Sequence, residues 1–493
     1  MHRCVVSERE SDIGPYLDDE GRSGTGSASQ VAWPATLREA SALVADCAAD
    51  GTRLTVSGAG TGLCGGRIPR GGVVLATDRL PARLDLQPAG PGRRGATMRV
   101  AAGVALSDVD SAAAESGWLY PPDPTETSAF IGGTIATNAA GRRSYRFGAT
   151  RAWIESLTVV LADGTPVEIE RGRYVARRGA LEIPFGDGRR RIEAPGWRQP
   201  ATAKCAAGYW SAGPGGALDL VDLICGSEGT LAVVLEAVLR LVPEPRELTS
   251  GLFFFESDAR ALEFVATARG DAKVAPWSLE LFDARAVGLA AEDDGALPRG
   301  QSAVFFEQPL APGSADPVLE RWQRLGDGSG AGPASILATD PSESRRLSTM
   351  RHAIPTALNR LLASRGLPKI ASDAAVPRDA TGEWLERSRA DCVERGLDSV
   401  AFGHAGDGHV HVNVIPDSVS GVGEAREVCD RMAARAARMG GVVSAEHGLG
   451  KTKRHLLEIQ YGRRIVDEMR GVKRALDPRE TLGAGTLFEP AGE

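Results

Sequence analysis

The sequence predicts an α+β protein of several domains, in which short strands and amphipathic helices are joined by many glycine turns. Three observations carry that expectation. The chain has 493 residues, and at about 100–200 residues per domain this means two to four hydrophobic cores. Strand-like and helix-like apolar spacings interleave along it. Its 60 glycines and 29 prolines lack a Gly-X-Y period, so they mark tight turns or places where backbone comes close to something else.

In chain order, residues 1–29 are polar and Gly/Ser-rich around Gly21 to Ser29, and read as an extended lead-in. Leu37, Ala40, Leu43, Val44 and Cys47 recur at three and four, which predicts a helix from Leu37 to Ala48 with Thr36 as its N-cap. Leu54 to Val56 and Val73 to Ala76 read as short strands around a glycine-dense loop, Ala105 to Ser116 as a helix, and Leu157 to Ala162 as a buried strand ending at the turn Asp163-Gly164. Residues 171–218, rich in Arg, Gly and Pro and containing Arg189-Arg190-Arg191, read as a surface excursion. Pro243 and Pro245 mark a boundary. Beyond it, Leu252 to Phe255 and Ala303 to Phe306 read as strands, Ala259 to Ala268 as a helix, and 311–334 as a Gly/Pro-rich loop. Val410, Val412 and Val414 alternate as a strand, Glu424 to Met439 forms a helix, and the C-terminus returns to loop. The domain expectation is a lead-in at 1–29, one domain at 30–245, a second at 246–420, and a C-terminal helical segment at 421–493 completing the site.

Composition narrows the functional classes. Fifty-seven Lys+Arg against 64 Asp+Glu give a formal charge of −7 with no basic block, which argues against nucleic acid or an anionic membrane as the main partner. No uncharged apolar run of about 18 residues exists, so no transmembrane segment is expected. The seven cysteines are scattered and include no Cys-x-x-Cys pair, which excludes a written iron–sulfur or thiolate zinc site and favours a reducing compartment. Acidic residues occupy the N-terminus where a signal peptide would need an apolar run. A cytoplasmic protein is expected.

Three small-residue segments suggest a bound ligand. Ser57-Gly58-Ala59-Gly60-Thr61-Gly62-Leu63-Cys64-Gly65-Gly66 follows a strand directly, and glycines at this density let backbone N–H groups converge on an anion, a diphosphate being the obvious guest. It is not the dinucleotide fingerprint, because no apolar helical run follows. Pro121-Pro122-Asp123-Pro124 leads into Ile131-Gly132-Gly133-Thr134-Ile135-Ala136-Thr137-Asn138-Ala139-Ala140-Gly141, and Gly226-Ser227-Glu228-Gly229-Thr230-Leu231 comes later. Small residues over such lengths bury little area and make poor core, but they make walls for a flat ligand.

The order of these loops resembles the FAD-binding domain of the vanillyl-alcohol oxidase / p-cresol methylhydroxylase superfamily, in the branch of D-lactate dehydrogenases, glycolate oxidase subunits and D-2-hydroxyglutarate dehydrogenases. The resemblance implies a two-subdomain FAD-binding domain of the p-cresol methylhydroxylase type, a mixed α/β substrate (cap) domain, and a C-terminal segment returning to the flavin. It implies that Gly58, Ala59, Gly60, Thr61 and Gly62 cradle the FAD diphosphate. It further implies that Pro122, Asp123, Gly132, Gly133, Asn138, Gly141, Glu228 and Gly229 line the isoalloxazine and ribityl. Lys204-x-x-x-Gly208-Tyr209 resembles another shared signature. No histidine falls in the loops where some relatives attach the flavin, so non-covalent FAD is expected.

Five of the seven histidines lie between 404 and 455. Gly403-His404-Ala405-Gly406-Asp407-Gly408-His409-Val410-His411 reads as strand, glycine turn, strand, with His409 and His411 on one face. Ser444-Ala445-Glu446-His447-Gly448 adds an acid and an imidazole. Two imidazoles and a carboxylate around an open position suit a catalytic divalent metal, and spacing alone leaves His409 and His411 as alternative ligands. The resemblance implies His404, His411 and Glu446 as ligands of zinc or a similar ion, with His409 standing where the family carries Asn and His447 as catalytic base. It also implies Arg351 as the binder of a substrate carboxylate and Asn413 as a polar position near the substrate. Asp373-Ala374-Ala375-Val376-Pro377 resembles a segment beside the family's active site. His352 and His455 read as surface or structural residues, and His2 as terminal.

Departures from the family pattern bear on the substrate. Pro355 replaces a Thr of the D-2-hydroxyglutarate enzymes, Ala371 stands where they carry a second carboxylate-binding Lys, and Leu482-Gly483-Ala484-Gly485 replaces Asn-Pro-Gly-Lys. The expectation is therefore FAD-dependent oxidation of a lactate- or glycolate-like D-2-hydroxy acid. The electrons would pass to dioxygen, a quinone, an electron-transfer flavoprotein or a partner subunit, and the chain is expected as a homodimer. Rival readings are oxidation of another alcohol, redox-neutral use of the flavin as in ether-lipid synthases, and a non-catalytic FAD-binding subunit.

Overall fold

A computed structural model describes residues 4–489 apart from 89–94, 178, 214–215, 293–294, 296 and 312; His2 lies outside the described residues. Three sheets organise the chain. The first orders its strands Val5–Ser7, Gln30–Trp33, Val73–Ala76, Leu54–Ser57, the last three parallel. Helix Leu37–Asp50 covers it, and the Thr36 side chain accepts from the Glu39 N–H as expected of an N-cap. The second sheet is antiparallel, in the order Leu84–Pro88, Ala96–Ala101, Ala232–Pro243, Ile154–Leu161, Pro166–Glu170, and Trp118–Leu119 adds to its central strand.

The third sheet has seven antiparallel strands: Ile336–Leu337, Glu247–Phe255, Ser302–Leu310, Ser278–Phe282, Asp398–His404, His409–Ile415 and Ile370–Ala371. Its core is aromatic. Phe306 stacks on Trp322 with ring centroids 3.8 Å apart, and Phe253 and Phe264 pack against the same pair. Each such ring contributes about 1.5–3 kcal/mol by burial alone, which holds rigid the strands that carry the histidines. Among the described residues no helix is long and apolar enough to cross a membrane.

Several local expectations are corrected. The lead-in is not simply extended: Val5–Ser7 forms the edge strand, and Ile13 and Tyr16 are buried against Trp33 and Val74. The excursion at 171–218 holds a hairpin, Ala180–Phe185 with Gly188–Glu193, and then turns inward, burying Trp197, Lys204 and Tyr209; Arg189 and Arg191 do face solvent. The loop at 311–334 contains helix Ala315–Gly328, whose Trp322 and Leu325 are buried with Val318 packed beside them. That stripe was hidden by the surrounding glycines. The C-terminus carries helical residues Leu456–Leu476, broken at Gly462, and Val466, Met469, Val472 and Leu476 enter the core of the second sheet. The second small-residue segment is a helix over Ile131–Ala136, not a loop throughout.

Candidate functional site

The histidine cluster is built on the hairpin between Asp398–His404 and His409–Ile415. His404 and His409 are paired across it, so they share a face, and strand alternation puts His411 and Asn413 on that face too. The turn is tight because Gly408 takes φ 82°, where a Cβ would meet the Val376 carbonyl oxygen at 2.1 Å. The third component arrives from the segment after helix Val422–Arg438. Asp373 fastens it: its carboxylate accepts from the Ser444 hydroxyl at 2.6 Å and the His447 N–H at 2.9 Å, and its carbonyl from the Ala445 N–H at 2.7 Å.

This construction brings ligand atoms of His404, His409, His411 and Glu446 within 4.8 Å of one another. His404 Nε2 lies 3.4 Å from Glu446 Oε1 and His411 Nε2 lies 3.6 Å from Oε2. The His447 ring stacks on His411 with centroids 5.6 Å apart, and its Nδ1 lies 3.4 Å from Asp373 Oδ1. Its side chain is 25% exposed against 14% for His411, 6% for His404 and none for His409, so His447 is the most accessible imidazole of the group.

Electrostatics divide these groups. Burial pushes the Glu446 carboxyl upward, but Lys204, His404 and His409 outweigh it and hold it well below the usual carboxylate range. Burial likewise raises Asp373, and His447 and His409 overcome it. His411 is driven down to about 3 by burial and by His409; burial also lowers His447, against the pull of Asp373. Both rings are thus neutral near pH 7, with a lone pair for a metal or a proton. His409 goes the other way, to about 9, because Glu446 and Asp373 outweigh its burial. The donors, two imidazoles and a carboxylate with a third imidazole adjacent, match in kind those that hold zinc.

Two buried ion pairs flank the cluster. The Lys204 ammonium lies 2.6 Å from Glu446 Oε1 and 3.2 Å from Asp407 Oδ2, with neither Lys204 nor Asp407 exposed. Arg351, on helix Pro341–Ser364, grips Glu280 with Nε at 2.7 Å and Nη2 at 2.8 Å. Glu280 also lies 3.1 Å from His404 Nδ1. Residue type and spacing did not mark Lys204, Glu280, Asp373 or Asp407 for these contacts. Glu280 had a visible signal, a lone acid within the apolar strand Ser278–Phe282. Lys204 is marked only by the resemblance of Lys204-x-x-x-Gly208-Tyr209 to a shared signature, which implies no partner for it, in a stretch that otherwise reads as surface.

The small-residue walls are more mixed. In the first loop, Gly62 is open on its Cβ side, as are Gly133 and Gly229. Among the described residues the N–H groups of Ala59, Thr61 and Leu63 have no acceptor, which suits a diphosphate. Gly132 is spent on packing, since a Cβ there would lie 2.8 Å from Ala102 Cβ, and Gly141 lets the Asp123 backbone pass, a Cβ meeting its carbonyl oxygen at 1.8 Å. Asn138 is also engaged, donating to Cys205 O at 3.1 Å and accepting from the Arg151 N–H at 2.9 Å. Pro122 is buried. Glu228 accepts from the Leu449 and Gly450 N–H groups at 2.9 and 2.8 Å, tying this wall to the segment that follows His447. Asp123 is bound by Arg142 at 2.5 Å, and Arg142 reaches Glu307 of the third sheet at 2.6 Å. Asn413 donates to Val400 O at 3.2 Å and leaves a buried Oδ1 without a donor among the described residues. His455 sits apart on Asp430, at 2.8 Å.

Comparison with known proteins gives matches over most of the chain. Residues 28–170 match an FAD binding domain and residues 244–487 the C-terminal domain of FAD linked oxidases. A D-lactate dehydrogenase of Archaeoglobus fulgidus is 30% identical, over 93% of this chain and 90% of that protein. The glycolate oxidase subunit GlcD of Bacillus subtilis is 29% identical over 92% and 88%, and a D-2-hydroxyglutarate dehydrogenase of Xanthomonas citri pv. viticola is 28% identical over 97% and 93%. A solved alkyldihydroxyacetonephosphate synthase shares the fold, with a TM-score of 0.66 at 13% identity, covering 97% of this chain and 81% of that one.

Proposed function

Since the chain belongs to the FAD-linked oxidases, we propose that it oxidises a D-2-hydroxy acid, a lactate- or glycolate-like monocarboxylate, to the 2-oxo acid. The observation that carries this reading is the meeting of His404, His411 and Glu446 beside the accessible, neutral His447. In it the flavin domain spans 30–245, the substrate domain 246–420, and 421–493 completes the site.

Bound FAD supplies the acceptor for the hydride that leaves the substrate Cα. A divalent ion, zinc in kind, held by His404, His411 and Glu446 would add Lewis-acid polarisation of the hydroxyl. The remaining work belongs to side chains. His447, its Nδ1 turned to Asp373, takes the hydroxyl proton at Nε2. Arg351, with Nε and Nη2 on Glu280 and Nη1 3.3 Å from His352 Nδ1, meets the substrate carboxylate on its Nη1–Nη2 edge in place of the His352 contact. Asn413 supplies a buried Oδ1 without a donor among the described residues. Gly58 to Gly62 hold the diphosphate. A monocarboxylate is favoured because Pro355 and Ala371 stand where dicarboxylate enzymes of the resemblance carry Thr and a second carboxylate-binding Lys, and because Arg142 is committed to Asp123 and Glu307.

The test is purification with a visible spectrum and metal analysis, followed by anaerobic addition of D- and L-2-hydroxy acids. Bleaching of the flavin by a D-hydroxy monocarboxylate is expected, and His404→Ala should lower bound metal and bleaching together. A yellow protein that no hydroxy acid reduces would overturn the reading, and unchanged metal content in His404→Ala would remove it from the ligands.

A further inference from the structure

The carbonyl oxygens of the first glycine loop are held from one side. Gly60 O accepts from the Glu20 N–H at 2.9 Å and Gly62 O from the Gly21 N–H at 3.0 Å. Gly58 O accepts from Arg67 Nη1 at 3.2 Å, while the same guanidinium donates to Asp18 O at 2.7 Å and to Pro15 O. Asp19, 7% exposed, locks the arrangement: its carboxylate accepts from the Gly65 N–H at 2.7 Å and the Ser23 N–H at 3.0 Å. The approach is close enough that a Cβ on Gly21 would stand 2.6 Å from the Leu63 carbonyl oxygen.

In a trans peptide the C=O of one residue and the N–H of the next point in opposite directions. Holding the carbonyls of Gly58, Gly60 and Gly62 toward the lead-in therefore turns the N–H groups of Ala59, Thr61 and Leu63 the other way, and among the described residues these three, like most N–H groups of the loop, have no acceptor. The segment that does this lies upstream of the matched FAD binding domain, which begins at residue 28.

We propose that residues 15–23 form a clasp, pinned by Asp19 and Arg67, that orients the peptides receiving the FAD diphosphate and so sets the affinity for FAD. Asp19 is a positioning residue that does not touch the cofactor. The inference rests on FAD binding and is independent of the substrate.

The experiment compares dissociation constants for FAD and for riboflavin, which lacks the diphosphate, by quenching of flavin fluorescence in deflavinated wild type, Asp19→Ala, Asp19→Asn and Arg67→Met, with melting temperatures of the same flavin-free samples. The clasp predicts that Asp19→Ala weakens FAD about tenfold with riboflavin unchanged, that Asp19→Asn falls between, and that Arg67→Met repeats the FAD-selective loss. If Asp19→Ala does not fold, the other two variants carry the same comparison. Unchanged FAD affinity in a folded variant, or equal losses for both flavins, would overturn the clasp. A wild-type chain that takes up neither flavin would overturn FAD binding itself and the clasp with it.

Discussion

The glycine loop of residues 58–66 and the histidine hairpin of residues 398–415 answer different chemical needs with different materials. The loop presents backbone N–H groups, and its specificity lies in which way each peptide faces. The hairpin presents ionisable side chains, and its geometry depends on charges neutralising one another away from water. Asp373, Glu280, Asp407 and Glu446 are set against Lys204, Arg351 and His409. Backbone sites tolerate side-chain change but not added bulk, whereas buried charge clusters fail when one partner is lost.

That contrast can be broken in four places. The largest effect is expected at His447→Ala, where loss of a general base should lower kcat by about 10²–10⁴-fold; a retained flavin spectrum would separate chemistry from assembly, and undiminished turnover would reassign the base. Next is Lys204→Met, which leaves Glu446 and Asp407 without their ammonium. Breaking a buried pair costs about 3–5 kcal/mol, read by urea denaturation of the purified protein, and a loss below 1 kcal/mol would mean that the histidines neutralise both acids unaided. On the glycine side, Gly141→Ala drives a Cβ into the Asp123 backbone; overpacking of this kind costs about 1–3 kcal/mol and should weaken flavin retention without altering the metal content. The smallest change is at His455, whose pKa is raised by its bond to Asp430. A raised histidine stabilises below its ordinary value near 6.5 and loses that contribution as pH rises through the raised one. The pair is about half exposed, so His455→Ala should cost at most about 0.2–1 kcal/mol at pH 6 and nothing at pH 9.

The sequence was most readable where periodicity or residue type is decisive. The strand Val73–Ala76, the helix after Thr36 and the hairpin carrying three histidines all follow from local pattern. Helix Ala315–Gly328 was obscured because glycine density outweighs a short apolar stripe by eye. The ion pairs were hidden for a deeper reason: nothing local to Lys204 says that its chain turns inward to meet residues more than 200 positions away. Glycines at 132 and 141 read as ligand walls, and their missing side chains also make room for neighbouring backbone and Ala102, a packing role that local sequence does not reveal.

The sealed Lys204 ammonium has a practical consequence. An amine shut away from solvent cannot meet an acylating reagent while the native packing holds, so its modification would count the moments when this region opens. Mass spectrometry of that one lysine, with time of exposure as the variable, would give the opening frequency of the histidine cluster without any turnover assay.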